Sequence, residues 1–332
     1  MYVLSNSNLN TPDYYIKGIL AGDISILSRA ITLVESTKEE HQLIAEKVID
    51  GVIEKTGKSF RLGITGVPGV GKSTFIESFG LELADSGHKV AILAIDPSSQ
   101  KSKGSILGDK TRMEKLSVHP KVYIRPSPSS GTLGGVAQKT FETILLCEAA
   151  GYDFIIVETV GVGQSEITIS QMTDFFLLLM LAGAGDELQG IKRGIMEMAD
   201  SVIITKADGA NVQKAKNARG EYAHALHLFP PTESGWIPKV DTCSALQNDG
   251  ITNVVRILEE YKLLTTSNGY FAKKRNSQLK EWLHQSIADK LKEKFYNNPA
   301  VKAELTKMED LLLKGTINPY KLASELISKW KS

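Results

Sequence analysis

The sequence predicts an α/β fold: a doubly wound, mostly parallel sheet built around a phosphate-binding loop, with helical extensions before and after it. Three observations predict it. Short apolar runs without polar alternation recur between helical patterns, as strands buried on both faces do in parallel sheets. One such run leads into Gly66, Val67, Pro68, Gly69, Val70, Gly71, Lys72, Ser73 and Thr74, which fit G-x-x-x-x-G-K-[ST]. Outside residues 59–264 the chain carries amphipathic helical spacing and no chemistry-bearing motif. The expected organisation is a helical arm over 1–58, the phosphate-loop domain over 59–264 and a C-terminal helical region over 265–332.

The arm comes first. Thr11-Pro12-Asp13 opens a helix with proline in its first turn, and Gly22-Asp23 opens another with Leu27, Ala30, Ile31 and Val34 on one face. A third helix, from Lys38 to Glu54, is expected to bury Leu43, Ile44, Val48, Ile49 and Val52. The arm reads as a brace or lid.

Phe60 to Thr65 reads as the strand before the phosphate loop, and Thr74 to Ser86 as the helix after it, ending at Gly87. The glycines at 66, 69 and 71 let the backbone turn its N–H groups onto phosphate oxygens. Lys72 is placed to meet the β and γ phosphates and the Ser73 hydroxyl to bind Mg²⁺, while the helix start turns its positive end to the anion. A plain glycine-rich turn with an exposed lysine is the simpler alternative, and the full motif in this setting outweighs it.

Lys89 to Ile95 is a second buried strand, delivering Asp96 at its carboxyl end, where open α/β sheets bind ligands. Asp96 is either a carboxylate reaching Mg²⁺ through water or a turn-opening residue before Pro97, and both readings stand. In the polar, glycine-punctuated stretch 104–112, Asp109 is a candidate for Mg²⁺ or its waters and Arg112 for charge on the γ-phosphate. Val122 to Arg125 reads as a strand, and the stretch Pro126 to Gly135 as neither helix nor central strand. A helix is expected from Val136 to Ala150.

Tyr152 to Val157 is a buried strand running into Glu158, a second nucleotide-site acid that orients Mg²⁺ or water. Three residues on, the Gly161 amide is placed as in a switch turn that senses the γ-phosphate. Phe175 to Leu181 is a further strand, followed by a glycine-rich loop through Lys192. Ser201 to Ile204 delivers Thr205-Lys206-Ala207-Asp208, of the base-reading form [NT]-K-x-D. An aspartate accepts both N1–H and the exocyclic amine of guanine, and adenine offers neither at that edge; a site built on such bonds rejects the analogue by about 10⁴-fold. Thr205 stands where Asn is usual, which removes one amide from the base contact. Ser244, Ala245 and Leu246, after the strand Lys239 to Cys243, offer backbone amides to the base oxygen.

Past Asn253 the chain is helical, with Leu279, Leu283, Ile287, Leu291 and Phe295 in a four-residue stripe suited to self-packing or self-association. The net charge of +1 gives no footprint for nucleic acid or an anionic membrane. The longest apolar run, Phe175 to Ala184, is half a bilayer span and the first ten residues lack a signal pattern, so a cytosolic protein is expected. Cys147 and Cys243 read as buried free thiols, and His224 and His227 as surface or packing residues.

Taken together, GVPGVGKST, AIDPSS, GSILGDKTRM, RPSPSSGTLGG, LLCEAAGYD, ETVGVGQSE and GAGDELQGIK resemble the MeaB/MMAA (ArgK-type) family. These are G-protein chaperones of adenosylcobalamin-dependent methylmalonyl-CoA mutase, in the SIMIBI class of P-loop GTPases. The resemblance spans roughly Ala21 to Ala245 and implies hydrolysis of GTP to GDP with Mg²⁺. It also implies a homodimer held by the C-terminal helices, and a role in loading adenosylcobalamin, carried by the partner enzyme, and protecting the mutase. By position it gives Lys72 and Ser73 to the phosphates and metal, Asp96, Asp109 and Glu158 to Mg²⁺ and water, and Asp208 with Ser244 to Leu246 to guanine. Lys192 and Arg112 become the charge-stabilising pair used when the partner is bound. An ATPase tied to arginine/ornithine transport and a metallocentre-insertion GTPase are the alternatives; Asp208 argues against the first, and the lack of a Cys/His cluster against the second.

Overall fold

A computed structural model of the 332-residue chain describes residues 11–96, 113–128, 133–159, 165–183, 193–313, 315 and 318–331. Seven strands form one sheet in the order β3-β2-β4-β1-β5-β6-β7, every neighbouring pair parallel. They are β1 (Phe60–Gly66), β2 (Val90–Asp96), β3 (Val122–Pro128), β4 (Phe154–Thr159), β5 (Phe175–Leu181), β6 (Ser201–Thr205) and β7 (Lys239–Thr242). The strand order reverses around β1, and a crevice at the carboxyl ends beside such a switch point is where ligands bind in this architecture. Every residue of β1 and β4 is buried, including the polar Arg61, Thr65, Glu158 and Thr159, as expected of strands covered on both faces.

The helices cover both faces. In the amino-terminal arm, α1 (Pro12–Leu20) starts on Thr11 and α2 (Ile24–Glu35) on Asp23, whose carboxylate accepts from the N–H groups of Ser25 and Ile26. In α3 (Glu39–Val52) the buried residues are Ala45, Val48 and Val52, whereas Leu43 is 56% exposed. The expected stripe therefore holds at Val48 and Val52, with Ile44 and Ile49 half-buried; it takes in Ala45 and gives up Leu43. After the phosphate loop comes α4 (Lys72–Asp85), then α5 (Glu114–Ser117), α6 (Leu133–Ala149), α7 (Ser165–Ser170), α8 (Arg193–Met198), α9 (Val212–Leu226) and α10 (Ile251–Ser267). Phe75, Ile76, Phe79 and Leu83 of α4 join Ile251, Val254, Ile257 and Leu258 of α10 over one face of the sheet. Ala215, Ala218 and Tyr222 of α9 pack with Val202 and Ile204 on the other.

The stretch 126–135 is not a central strand, as expected, but departs from the expectation of no helix. β3 continues through Pro126 and Pro128, opposite Ala94 and Asp96, and α6 already begins at Leu133. Proline is tolerated because β3 is an edge strand, so its missing N–H costs no ladder bond on the outer side. Cys147 and Cys243 are buried free thiols, and burial pushes the Cys243 thiol up to about 12, with Asp241 and Asp249 adding to the effect. His224 and His227 are exposed at the end of α9.

The chain divides into two compact units, Met1–Gln278 and Leu279–Ser332. The second contains most of α11 (Tyr270–Asn297) with α12 (Pro299–Leu313) and α13 (Pro319–Lys331). Within it, Phe295 meets Trp330 edge to face and Lys329 pairs with Glu304. Among the described residues no helix is long and apolar enough to cross a membrane.

Candidate nucleotide site

β1 ends at Gly66, and α4 starts six residues later, so the intervening loop sits at the centre of the sheet's carboxyl edge. Gly69 and Gly71 adopt φ of 75° and 92°, the left-handed region that glycine enters freely. Gly66 is required for another reason: a Cβ there would lie 2.6 Å from the Leu179 carbonyl oxygen of β5. No side chain caps α4, so its first N–H groups are available to an anion along the positive end of the helix dipole.

Lys72 folds its Nζ across the loop to donate to the Gly66 carbonyl at 2.8 Å. Burial lowers its pKa, while the carboxylates of Glu158 and Glu166 pull the other way. Glu158 is 4% exposed and stands opposite Ile64 of β1 and Ala94 of β2. One residue further, the buried Thr159 hydroxyl donates to that of Thr65 at 2.9 Å, tying the ends of β4 and β1 together beside the loop. Asp96 is the last residue of β2, two beyond Ala94, and so belongs to the same strand edge as Glu158. Ser73 and Thr74 occupy the first turn of α4. The side chain of Asp96 lies outside the described residues, as do Asp109, Arg112, Gly161 and Lys192.

The segment Thr205 to Asp208, the candidate for base recognition, is bonded directly to the phosphate loop. Thr205 donates its hydroxyl to the Val70 carbonyl at 2.6 Å, and Lys206 Nζ donates to the Gly69 carbonyl at 2.8 Å. Lys206 itself has φ of 55°, which turns the chain sharply off β6. The Ser244 hydroxyl donates to Asp208 Oδ2 at 2.5 Å and in turn accepts from the Gln247 N–H at 3.2 Å. Ser78 of α4 donates to the Ala245 carbonyl at 2.9 Å, so the loop holding Ser244, Ala245 and Leu246 is fixed to the helix that follows the phosphate loop. These bonds and the strand register thus bring Gly66 to Thr74, Glu158, Thr205 to Asp208 and Ser244 to Leu246 together at the carboxyl edge of the sheet.

Two residues had no role in the sequence reading. Glu166, 1% exposed in α7, acts on Lys72 electrostatically, and Ser78 clamps the second base-side loop. Only the motif ETVGVGQSE hinted at the first; a lone serine on a helix gave no signal for the second.

Comparison with known proteins places this geometry in context. A family model described as methylmalonyl-CoA mutase-associated GTPase MeaB matches residues 27–300. A probable GTPase of Mycobacterium tuberculosis is 45% identical over 318 residues, covering 96% of this chain and 95% of the relative. The mouse protein described as a mitochondrial homolog of methylmalonic aciduria type A is 44% identical, covering 99% of this chain and 82% of its own. A solved structure described as a LAO/AO transport system kinase is 35% identical, with a TM-score of 0.75, covering 99% of this chain and all of that one.

Proposed function

Because the chain belongs to the family of methylmalonyl-CoA mutase-associated GTPases described as MeaB and is a GTP hydrolase, we propose that it is a nucleotide-gated chaperone of an adenosylcobalamin-dependent methylmalonyl-CoA mutase. The observation that carries the reading is the pair of bonds from Thr205 and Lys206 to Val70 and Gly69. They set a base-recognition carboxylate at a fixed distance from a phosphate cradle, as recognition of one whole nucleotide requires.

In this reading the backbone amides from Gly66 to Thr74 hold the phosphates and Lys72 neutralises the β and γ oxygens. Asp208, oriented by Ser244, accepts from the guanine edge. The oxygen donors here, the Ser73 hydroxyl and the buried Glu158 carboxylate, fit Mg²⁺, which takes few protein ligands and fills its shell with phosphate and water oxygens. When bound, the ion neutralises charge developing on the phosphates. Asp96 and Asp109 complete the set of acids assigned to the metal and its waters. Gly161 is assigned to sensing the γ-phosphate, and Arg112 with Lys192 to stabilising transferred charge once the mutase is docked. A charge supplied on docking raises turnover by about 10³- to 10⁵-fold, so the isolated chain hydrolyses GTP slowly. The C-terminal helices join two copies, and the cytosol is the place of action; the mouse relative's name puts that protein in mitochondria.

The test measures GTP and ATP turnover with and without an adenosylcobalamin mutase from the same cell. GTP turnover that rises with the mutase, and rises much less in Lys192→Ala at unchanged GTP affinity, is expected. Equal turnover with and without the mutase overturns the chaperone reading. The likeness to a structure described as a transport system kinase favours a second reading, an ATPase serving transport; ATP binding as tight as GTP would select it.

A further inference from the structure

Thr205 closes β6 with only 4% of its surface exposed. Its hydroxyl lies 2.6 Å from the Val70 carbonyl oxygen and 3.2 Å from that of Met180. A hydroxyl carries a single proton, and both acceptors are backbone. The proton is therefore committed to holding the phosphate loop against the sheet. An amide in its place would carry two protons, one for the same carbonyl and one for a further acceptor.

That difference matters for a purine. N7 is an acceptor on guanine and adenine alike, on the side of the ring away from the N1 and amine edge that Asp208 is suited to read. Of the neighbouring polar side chains, the Ser244 hydroxyl has its one proton on Asp208, and Lys206 Nζ, an ammonium with three protons, is drawn to the Gly69 carbonyl. We propose, resting on the guanine-nucleotide reading above, that Thr205 is a positioning and specificity residue. It tethers the phosphate loop to the base-reading segment and leaves purine N7 unread, so that discrimination falls on the N1 and amine edge alone. The site then accepts guanine nucleotides altered at N7 and refuses those altered at the amine.

The experiment titrates the full chain by calorimetry with GDP, 7-deaza-GDP, which lacks the N7 acceptor, and IDP, which lacks the exocyclic amine. Diphosphates avoid turnover during the measurement. For the unaltered protein, 7-deaza-GDP is expected to bind within about threefold of GDP, while IDP is weaker by about 10- to 100-fold because one donor to a carboxylate is lost. In Thr205→Asn the amide regains a second proton, and the gap between GDP and 7-deaza-GDP is expected to open beyond about threefold. Thr205→Val removes the tether and should weaken all three ligands in parallel, leaving their ratios unchanged. A penalty above threefold for 7-deaza-GDP in the unaltered protein, with IDP still weak, overturns the proposal and leaves the guanine reading intact. IDP binding as tightly as GDP overturns that guanine reading, and the proposal with it. Should Thr205→Asn fail to fold, the ratios for the unaltered protein decide.

Discussion

Arg61 and Glu148 form a buried two-pronged ion pair, Nε to Oε1 at 2.9 Å and Nη2 to Oε2 at 3.0 Å, at the end of β1 opposite the phosphate loop. Glu148 also accepts from the Ser59 hydroxyl and the Gly57 N–H, and Arg275 of α11 reaches it while pairing with Asp174. Burial alone would push the Glu148 carboxyl up, but the Arg61 charge and the hydrogen bonds from Arg61, Ser59 and Gly57 outweigh it and hold it below the usual carboxylate range. A carboxylate depressed on folding contributes stability above its unfolded pKa of about 4.3 and loses it as pH falls through the folded value. Glu148→Gln, which leaves Arg61 buried without its counter-charge, should cost about 3 kcal/mol at pH 7 by urea denaturation. The gap to the unaltered protein should shrink as the pH drops below about 4. A loss under about 1 kcal/mol at pH 7, or a gap that widens in acid, would show that the pair does not hold this end of the sheet.

Two glycines of the phosphate loop should fail for different reasons. In Gly66→Ala the new methyl meets the Leu179 carbonyl oxygen at 2.6 Å, and neither backbone can yield without separating β1 from β5. Overpacking of this kind costs about 1–3 kcal/mol. In Gly69→Ala the methyl meets nothing within 4 Å, and the cost is that of φ at 75° alone, about 1–2 kcal/mol. Unfolding midpoints compared with GDP titrations check both: Gly66→Ala should lower stability and affinity together. A Gly66→Ala protein as stable as the unaltered one would remove the close-approach explanation.

Lys72→Ala should separate activity from stability. Burial already disfavours the Lys72 ammonium, with Glu158 and Glu166 offsetting part of that cost, so losing the charge removes a burden along with a contact. Turnover of GTP is expected to fall by about 10²-fold or more, while unfolding free energy at pH 7 stays within about 0.5 kcal/mol. Since folding lowers this pKa, the unfolded chain holds the proton more tightly, and the unaltered protein should gain on the variant as pH rises through the folded value. Turnover that survives in Lys72→Ala would remove this lysine from the phosphate site.

Most of the sheet was legible because β2, β4, β5 and β6 are short, largely apolar runs ending in a turn or a candidate site residue. The positions of Asp96, Glu158 and Asp208 at or just past the ends of their runs mark the carboxyl edge of the sheet in the sequence itself. What the sequence hid is charge pairing across distance. Arg61 reads as an interruption of a buried strand, and nothing near it in the chain indicates that Glu148 and Arg275 will neutralise it. Pro126 and Pro128 argued only against a central strand; that they lie in an edge strand is a property of the whole sheet and could not be read locally. Thr205 looked like a defect in the base motif for the same kind of reason. Its compensating acceptor, Val70, is 135 residues away.

The stripe on α11 offers the last test. Leu279, Leu283, Ile287 and Leu291 are 50%, 56%, 47% and 51% exposed, an apolar row that the chain leaves half in solvent. Residues four apart make the ridge that interdigitates with its own kind at about −50°, so two copies of this helix should meet at a short crossing centred on Leu283 and Ile287. A carboxylate placed there faces its own symmetry mate across a desolvated contact and opposes association. Size-exclusion chromatography with light scattering should give a dimer mass for the unaltered protein and a monomer mass for Ile287→Glu. Leu263→Glu is the control. Leu263 is 74% exposed on α10, outside the stripe, and its variant should remain dimeric. A dimer that survives Ile287→Glu but dissociates with Leu263→Glu would move the contact to α10 and strip the stripe of its role.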